Sequence, residues 1–473
     1  MSPRFRSVAV IGAGPSGISA VKALQEEKIF QTVRLFERRG HIGGIWQYDE
    51  VPDRFPTPET SPQQNEIPTR LPLLTSPSPE DEASRTSIYE GLDSNVGAKV
   101  MAFTHTPFLE PNSASSSRHL GHHNPTRPFQ VVRKYLEDIF QPYLHLASLN
   151  TTVEKLEKRH HKWRLTLRQS GHSDGTEPRD YWWEEQFDAV IVASGHYSVP
   201  CYRRTLSDAR YPTVFEHSKQ FRNADDYVNK RVIVVGGSVS SADLIVDLHS
   251  IVKGPLELSV RGKNEVFQPA WELPNVNIRP TIKEIQATDE GVNVTFSDNS
   301  LVEGVDKIIF ATGYKLSYPF IVPNPVTPNN RLAGFYQHIF KIGDPSLTLI
   351  GQIRAGISFR VYEYQAVAVA RYFAGRNAAV LPTPQEQDLW EVNRLQYKGH
   401  TALFHEIKPD FKEYFDFLTG LAGPPAPGTD GHALPSWDDS WAEQAFEILR
   451  LKDIYWKSLK RTADQSGVVT AKL

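Results

Sequence analysis

Residues 8–20 read VAVIGAGPSGISA, an apolar run that breaks into a G-x-G-x-x-G turn and resumes as a helix. No other stretch narrows the fold as far. Gly12 permits the tight turn, Gly14 lets the backbone approach a pyrophosphate, and Gly17 lets strand and helix pack closely. With Ala13, Pro15 and Ser16 between them, they present free N–H groups and the positive end of a helix to an anion. Glu37 ends the next strand, TVRLFE, 20 residues after Gly17, where a carboxylate accepts hydrogen bonds from ribose hydroxyls. A lone G-x-G-x-x-G is weak evidence. Here strand, helix and acid accompany it, so the stretch is expected to bind a dinucleotide.

A second copy stands at 234–243, VVGGSVSSAD. Gly236 keeps the first glycine, Ser238 and Ser241 replace the other two, and Gly237 and Ser240 complete the turn. Counting 20 residues on from Ser241 reaches Arg261, at the end of the strand PLELSV, with Lys263 nearby. A carboxylate there would repel a 2′-phosphate, whereas a guanidinium binds one through two parallel hydrogen bonds. A solvated RGK turn is the alternative. The shared register favours the phosphate, so the second site is expected to take NADPH rather than NADH, with the small serines permitting close approach and donating their hydroxyls to phosphate. Two dinucleotides in one chain imply electron transfer between a nicotinamide and a second cofactor, most simply FAD. The run RRGHIGGIW after Glu37 supports FAD in the first site. Gly43 and Gly44 let the backbone pass close to a ligand, Ile45 follows, and Trp46 offers a flat apolar face. Taken alone, GGIW would also suit an ordinary turn with a core tryptophan.

The rest of the chain bounds these readings. At 473 residues it is long enough for two or three domains. A formal charge of -3 gives no support for nucleic acid as a partner. Cys201 is the only cysteine, so no C-x-x-C dithiol exists, a disulfide reductase is excluded, and a reducing compartment is expected. No apolar run approaches the ~18 residues of a membrane span, and a first strand from about Ser7 is expected to leave no room for a signal peptide. The His pairs at 122–123 and 160–161 lack partners at metal-like spacing and are read as surface residues, with no metal site. Alternating strands and helices predict an α/β fold with two Rossmann-like, three-layer dinucleotide-binding domains. The strands VIVASGHYSVP and KIIFATGY frame the second unit, so an NADP domain at 201–304 is expected to be inserted into an FAD domain of 1–200 plus 305–473. Within the latter, 52–87 reads as a Pro-rich loop insertion, 111–128 as another long loop, and the tail from about 383 as irregular before a helix at 439–461.

With these motifs in place, the chain resembles the flavin-containing monooxygenases (the N,N-dimethylaniline monooxygenase-like enzymes), particularly the fungal branch that oxygenates nitrogen or sulfur. The resemblance runs through most of 7–375 and includes FERRGHIGGIW, IYEGLDSNVGAKVMAF at 88–103, VASGHYSVP, both turns and FATGY. Between its domains the family carries aromatic-x-Gly-x-x-x-His-x-x-x-aromatic. Here that segment is YPTVFEHSKQF, 211–221, with Tyr211, His217 and Phe221 in place and Thr213 where the glycine stands. The resemblance implies cofactor contact at His217 and Ser218, and an active-site role for Asn95, which matches the asparagine whose amide lies near the flavin's reacting atoms. It also implies a reaction. NADPH reduces FAD, the reduced flavin and O₂ form a C4a-hydroperoxide, and one oxygen passes to a soft sulfur or nitrogen of a small molecule while NADP⁺ stays bound. Ketone-oxygenating relatives usually end the inter-domain motif in Trp followed by Pro or Asp, so Phe221-Arg222 favours the heteroatom branch. Baeyer–Villiger oxygenation and a flavoprotein without catalysis are the competing readings. The branch suits thiol metabolism or tailoring of a secondary metabolite. The C-terminal Ala471-Lys472-Leu473 is similar to the peroxisomal S-K-L, so a cytoplasmic or peroxisomal location is expected. The oligomeric state stays open, a homodimer included.

Overall fold

The computed structural model describes residues 2–55, 65–79, 83–109, 111–172, 177–202, 211, 213–288 and 291–466. The C-terminal tripeptide and the centre of the Pro-rich insertion lie outside them.

Strand Ser7–Ile11 is the heart of a seven-stranded sheet. Thr32–Phe36 pairs with one side of it and Ala189–Val192 with the other, both in parallel, and Leu347–Leu349 continues the parallel run. These strands are almost wholly apolar because a parallel sheet is covered on both faces, and period-2 alternation divides their side chains between the two covers. Val8, Val10, Leu35 and Ile191 point into one core with helices Pro15–Glu26 and Ser358–Ala374. Ala9, Ile11, Phe36 and Val192 point into another with Leu156, Trp163, Leu165 and Phe187 of an antiparallel meander. Helices, parallel sheet and meander make three layers.

The second unit repeats this plan. Its five strands run in the order Phe215–His217, Lys307–Phe310, Val232–Val235, Leu256–Ser259, Val276–Arg279, all parallel. Val232, Val234, Leu256 and Leu258 pack on Leu244, Ile245 and Trp271. Ile233, Ile308 and Phe310 pack on Val292, Val294 and Phe296 of a small antiparallel sheet.

Some expectations change. Lys307–Phe310 was expected to begin the return to the first domain near 305, yet it lies inside the second sheet. Its apolar run has to be covered on both faces, which only the second unit provides. We therefore place the return near 314. There Tyr314–Lys315 pairs antiparallel with Val199–Pro200, and the outgoing and incoming chains cross together. The 52–87 insertion is not all loop, since Leu73–Thr75 adds a strand to the meander edge. Within 111–128, Ala114–Leu120 is a helix capped by Ser113, whose hydroxyl accepts from the Ser116 N–H at 2.9 Å.

The tail after 383 is not irregular. Pro384–Lys398 follows a Thr383/Glu386 capping box, and Phe411–Ala422 buries Phe415 and Leu418 beside the long helix of the first domain. The final helix, Ser440–Ser466, touches both units. Trp441 and Ala445 sit in the first core and Trp456 in the second, while Lys452 pairs with Asp243 at 2.7 Å.

Candidate functional site

The glycine turns follow the central strands Ser7–Ile11 and Val232–Val235, and a crevice beyond the carboxyl ends is where open α/β sheets take ligands. In the first turn, Gly12 has φ +101°, and a Cβ there would stand 2.7 Å from the Ala193 carbonyl oxygen. A Cβ on Gly17 would stand 1.8 Å from the Gly12 oxygen. Gly14 differs: its Cβ would meet only the Gly44 Cα at 3.6 Å, so its outer side is an open cradle before the helix that starts at Pro15. Gly44 (φ +57°) closes the far side, where a Cβ would lie 2.7 Å from the Gly14 Cα. Glu37 is buried and accepts from the Ala13 N–H at 2.7 Å and the Arg39 N–H at 2.9 Å. A carboxylate has about four acceptor sites, so ribose hydroxyls can still be received. The open backbone, free helix end and fixed acid fit a dinucleotide. Ser16 is buried at the edge of this turn, so close to Gly351 that a Cβ there would stand 2.1 Å from its hydroxyl oxygen. Ile45 is exposed, and Trp46 packs edge-on to Phe359, 6.1 Å between ring centroids.

In the second turn, Gly236 (φ +131°) is pressed to the Ala311 carbonyl and Gly237 to the Trp271 ring. Ser238 and Ser240 are exposed at the mouth. Ser241 is wholly buried: its hydroxyl donates to the Ser238 carbonyl at 2.7 Å and accepts from the Ser238 N–H at 2.9 Å. The expectation that this hydroxyl donates to phosphate is therefore corrected, because the turn itself consumes it. Arg261 is exposed on the loop after Leu256–Ser259. Asn264 ties that loop to the turn by donating to the Gly237 carbonyl at 3.0 Å. No hydrogen bond or ion pair among the described residues holds the Arg261 guanidinium.

Between the units, His217 is wholly buried. Its Nδ1 accepts from the Lys219 N–H at 3.1 Å and its Nε2 donates to the Gly313 carbonyl at 3.0 Å. Burial lowers its pKa to about 4, so the ring is neutral at ordinary pH. Both nitrogens are spent within the protein, and His217 braces the crossing strands. Ser218, half-buried, follows it. Thr213 is not among the positive-φ residues, so the backbone there makes no demand for glycine. Phe221 packs against Tyr89, and buried Arg222 donates to the carbonyls of Asp49, Lys219, Phe221 and Thr86.

Asn95 is exposed on a fixed loop: Ser94 and Arg127 exchange hydrogen bonds at 2.8 and 3.0 Å, and the Ala98 N–H donates to the Pro125 carbonyl. Its amide has no partner among the described residues. Neighbouring Gly97 lies against the final helix, where a Cβ would stand 2.5 Å from the Gln444 oxygen.

Sequence reasoning missed the aromatic wall. Tyr197 leaves the end of Ala189–Val192 and meets Tyr314 of the second crossing strand edge-on at 5.6 Å. The single O–H of Tyr318 is shared between Gln352 Oε1 at 2.5 Å and the Gly195 carbonyl at 3.1 Å, stapling the loops after two neighbouring strands. The available signal was the pair SGHY and TGY, each an aromatic just past a buried strand.

Comparison with known proteins follows this geometry. Residues 271–423 match the flavin-binding monooxygenase-like family, 184–336 the pyridine nucleotide-disulphide oxidoreductases and 10–62 the NAD(P)-binding Rossmann-like domain. Flavin-containing monooxygenase FMO GS-OX-like 7 of Arabidopsis thaliana is 30% identical over 421 residues, 85% of this chain and 82% of the relative. Flavin-containing monooxygenase iboF of Amanita muscaria (strain Koide BX008) is 28% identical over 482 residues, 88% of this chain and 85% of the relative. The fold is shared with S-allyl-L-cysteine S-oxygenase of Allium sativum, with a TM-score of 0.72, 24% identity and 98% of both chains covered.

Proposed function

The chain belongs to the flavin-containing monooxygenases, FAD- and NADPH-dependent oxidoreductases, and from that membership we propose that it transfers one atom of O₂ to sulfur or nitrogen of a small molecule. One observation carries the reading: two glycine turns, each opening a helix, lie at the carboxyl edges of two sheets joined across Tyr197 and Tyr314. Gly12, Gly14, Gly17 and Glu37 would hold FAD, with Gly44 and Ile45 beside it. Gly236, Gly237, Ser238 and Ser240 would hold NADPH, and Arg261 its 2′-phosphate.

The bound flavin supplies the means to pass two electrons from NADPH to O₂. For a thioether the balance is closed: the sulfur gains one oxygen atom and gives two electrons, NADPH gives two more as hydride, and the other oxygen leaves as water with that hydrogen and a proton from solvent. The chain's own part is to position and to shield. Asn95 offers an uncommitted amide from a loop fixed at Ser94 and Ala98. Tyr197, Tyr314 and Tyr318 line the join with aromatic surface that keeps water from the reacting atoms. The reading calls for no general base, and burial keeps His217 neutral and committed to its brace.

Oxygenation of sulfur or nitrogen over ketones is supported by Phe221-Arg222 and by the S-oxygenase named among the relatives of fold. NADPH consumption with thiols, thioethers, amines and ketones, checked by product mass, tests this reading. Ketone-derived ester as the sole product would replace it with Baeyer–Villiger chemistry. Failure of NADPH to reduce the flavin anaerobically would replace it with a binding role. No helix among the described residues is long and apolar enough to cross a membrane.

A further inference from the structure

The crevice holds a cation that neither turn claims. Arg354 follows Leu347–Leu349, the strand beside Ala189–Val192, on the loop that Tyr318 staples to Gly195 through Gln352. Its side chain is exposed, and no carboxylate, hydroxyl or carbonyl among the described residues pairs with the guanidinium. Its field reaches His196 and Tyr197 on the adjacent loop. Both ring nitrogens of His196 are shut off from solvent and make no well-formed hydrogen bond among the described residues; the backbone of Gly351 is near enough to favour the protonated ring but leaves room for a better partner. Tyr197, 43% exposed, lies tilted beside it at 4.1 Å between ring centroids and meets Tyr314 edge-on. Arg331 and Arg394 lie behind this wall near His405, and only Arg331 has a carboxylate partner, Glu391, while Arg394 donates to two carbonyls.

On the reading above, the helix end at Pro15 would serve the phosphates of one dinucleotide, and the Ser238 turn with Arg261 those of the other. The unpaired Arg354 guanidinium, with the under-satisfied His196 imidazole on the adjacent loop, would be left for the third molecule. Resting on the monooxygenase reading above, we propose that Arg354 and His196 form a subsite for the carboxylate of the oxygenated substrate. Arg354 supplies the planar fork that matches a carboxylate, and His196 donates one N–H. Tyr197 covers the chain between carboxylate and reacting sulfur or nitrogen, so the substrate class is a small thioether, thiol or amine bearing a carboxylate.

The test uses the full-length, FAD-loaded chain with 3-(methylthio)propionate and its neutral amide, 3-(methylthio)propanamide, and the variants Arg354→Ala and Arg354→Lys. Binding is read without turnover, from perturbation of the flavin spectrum under nitrogen, and turnover from NADPH consumption and sulfoxide mass. In Arg354→Ala, Kd and KM for the carboxylate should rise roughly ten- to hundredfold, the range typical of a charge-assisted pair. The amide should be unaffected, and Arg354→Lys should recover part of the loss. Equal effects on both probes would overturn the subsite. So would loss of bound FAD, or slower anaerobic reduction with an unchanged ratio of the two probes, since Arg354 would then serve a cofactor. If the wild-type chain oxygenates neither probe, the monooxygenase reading fails for this class, while the Kd ratio still decides for or against the subsite.

Discussion

Replacing Arg261 tests whether the second turn selects NADPH by its 2′-phosphate. A charge-assisted bidentate contact contributes ~1.5–3 kcal/mol. Arg261 is exposed, on a loop held to the turn only through Asn264 and the packing of Val260 on Gly237, so solvent screening favours the lower end. About 1.5 kcal/mol corresponds to roughly tenfold in affinity. Arg261→Ala is therefore expected to raise the KM for NADPH about tenfold at low salt and leave NADH nearly unchanged. Arg261→Asp should go further, adding repulsion toward NADPH and an acceptor for the ribose of NADH. FAD content should stay constant in both variants, because Arg261 and the first turn lie in separate units. Steady-state kinetics with both nicotinamides at two ionic strengths supply the readout. An unaltered NADPH preference in Arg261→Asp would refute the overlay of the two turns, and Arg261 would be a solvated surface residue.

Three further outcomes follow from the geometry. Asn95→Ala should retain FAD and its reduction by NADPH while diverting O₂ to released hydrogen peroxide; wild-type product yield per NADPH would remove Asn95 from the site. Gly14→Val should fold with native far-ultraviolet circular dichroism yet come out colourless, because its side chain would enter an open cradle, whereas Gly17→Ala should destabilise the fold itself, its Cβ meeting the Gly12 carbonyl at 1.8 Å; yellow Gly14→Val would show that the first turn holds something else. Burial lowers the pKa of His196 and His217 to about 4 against 6.5 unfolded, so the unfolded chain binds more protons between those values. Stability from these two groups is then complete above pH 6.5 and falls as pH drops toward 4, by up to about 1.4 kcal/mol per pH unit for each. His217→Gln should flatten the decline in melting temperature over that window, and an unchanged slope would contradict the assignment.

The glycine turns were legible because each glycine answers a steric demand that recurs wherever a parallel strand turns into a helix: Gly17 meets its own turn, while Gly12 and Gly236 meet the end of a neighbouring strand at Ala193 and Ala311. Gly12, Gly17 and Gly236 all meet backbone where a side chain would have to go. Legibility stops where a polar group has two partners to choose from. Ser241 was read as facing phosphate, but its own turn offers a carbonyl three residues back, and that partner is always at hand. His217 shows the same limit, because sequence does not reveal that its ring nitrogens are taken up by Lys219 and Gly313. The tail shows the same limit at longer range. The Thr383/Glu386 capping box and the period of Ser440–Ser466 are both readable, yet nothing near Trp456 announces that it packs with Phe267, far upstream. That contact matters to the site. The same helix presses on Gly97 beside Asn95, meets Gly356 beside Arg354 through Phe446, and binds Asp243 of the NADP-side helix through Lys452. One element thus touches the loops of Asn95 and Arg354 and the unit that carries the second glycine turn. The relation between the crevice walls is set by this helix as much as by the crossing strands, and a reading of the motifs alone leaves it out.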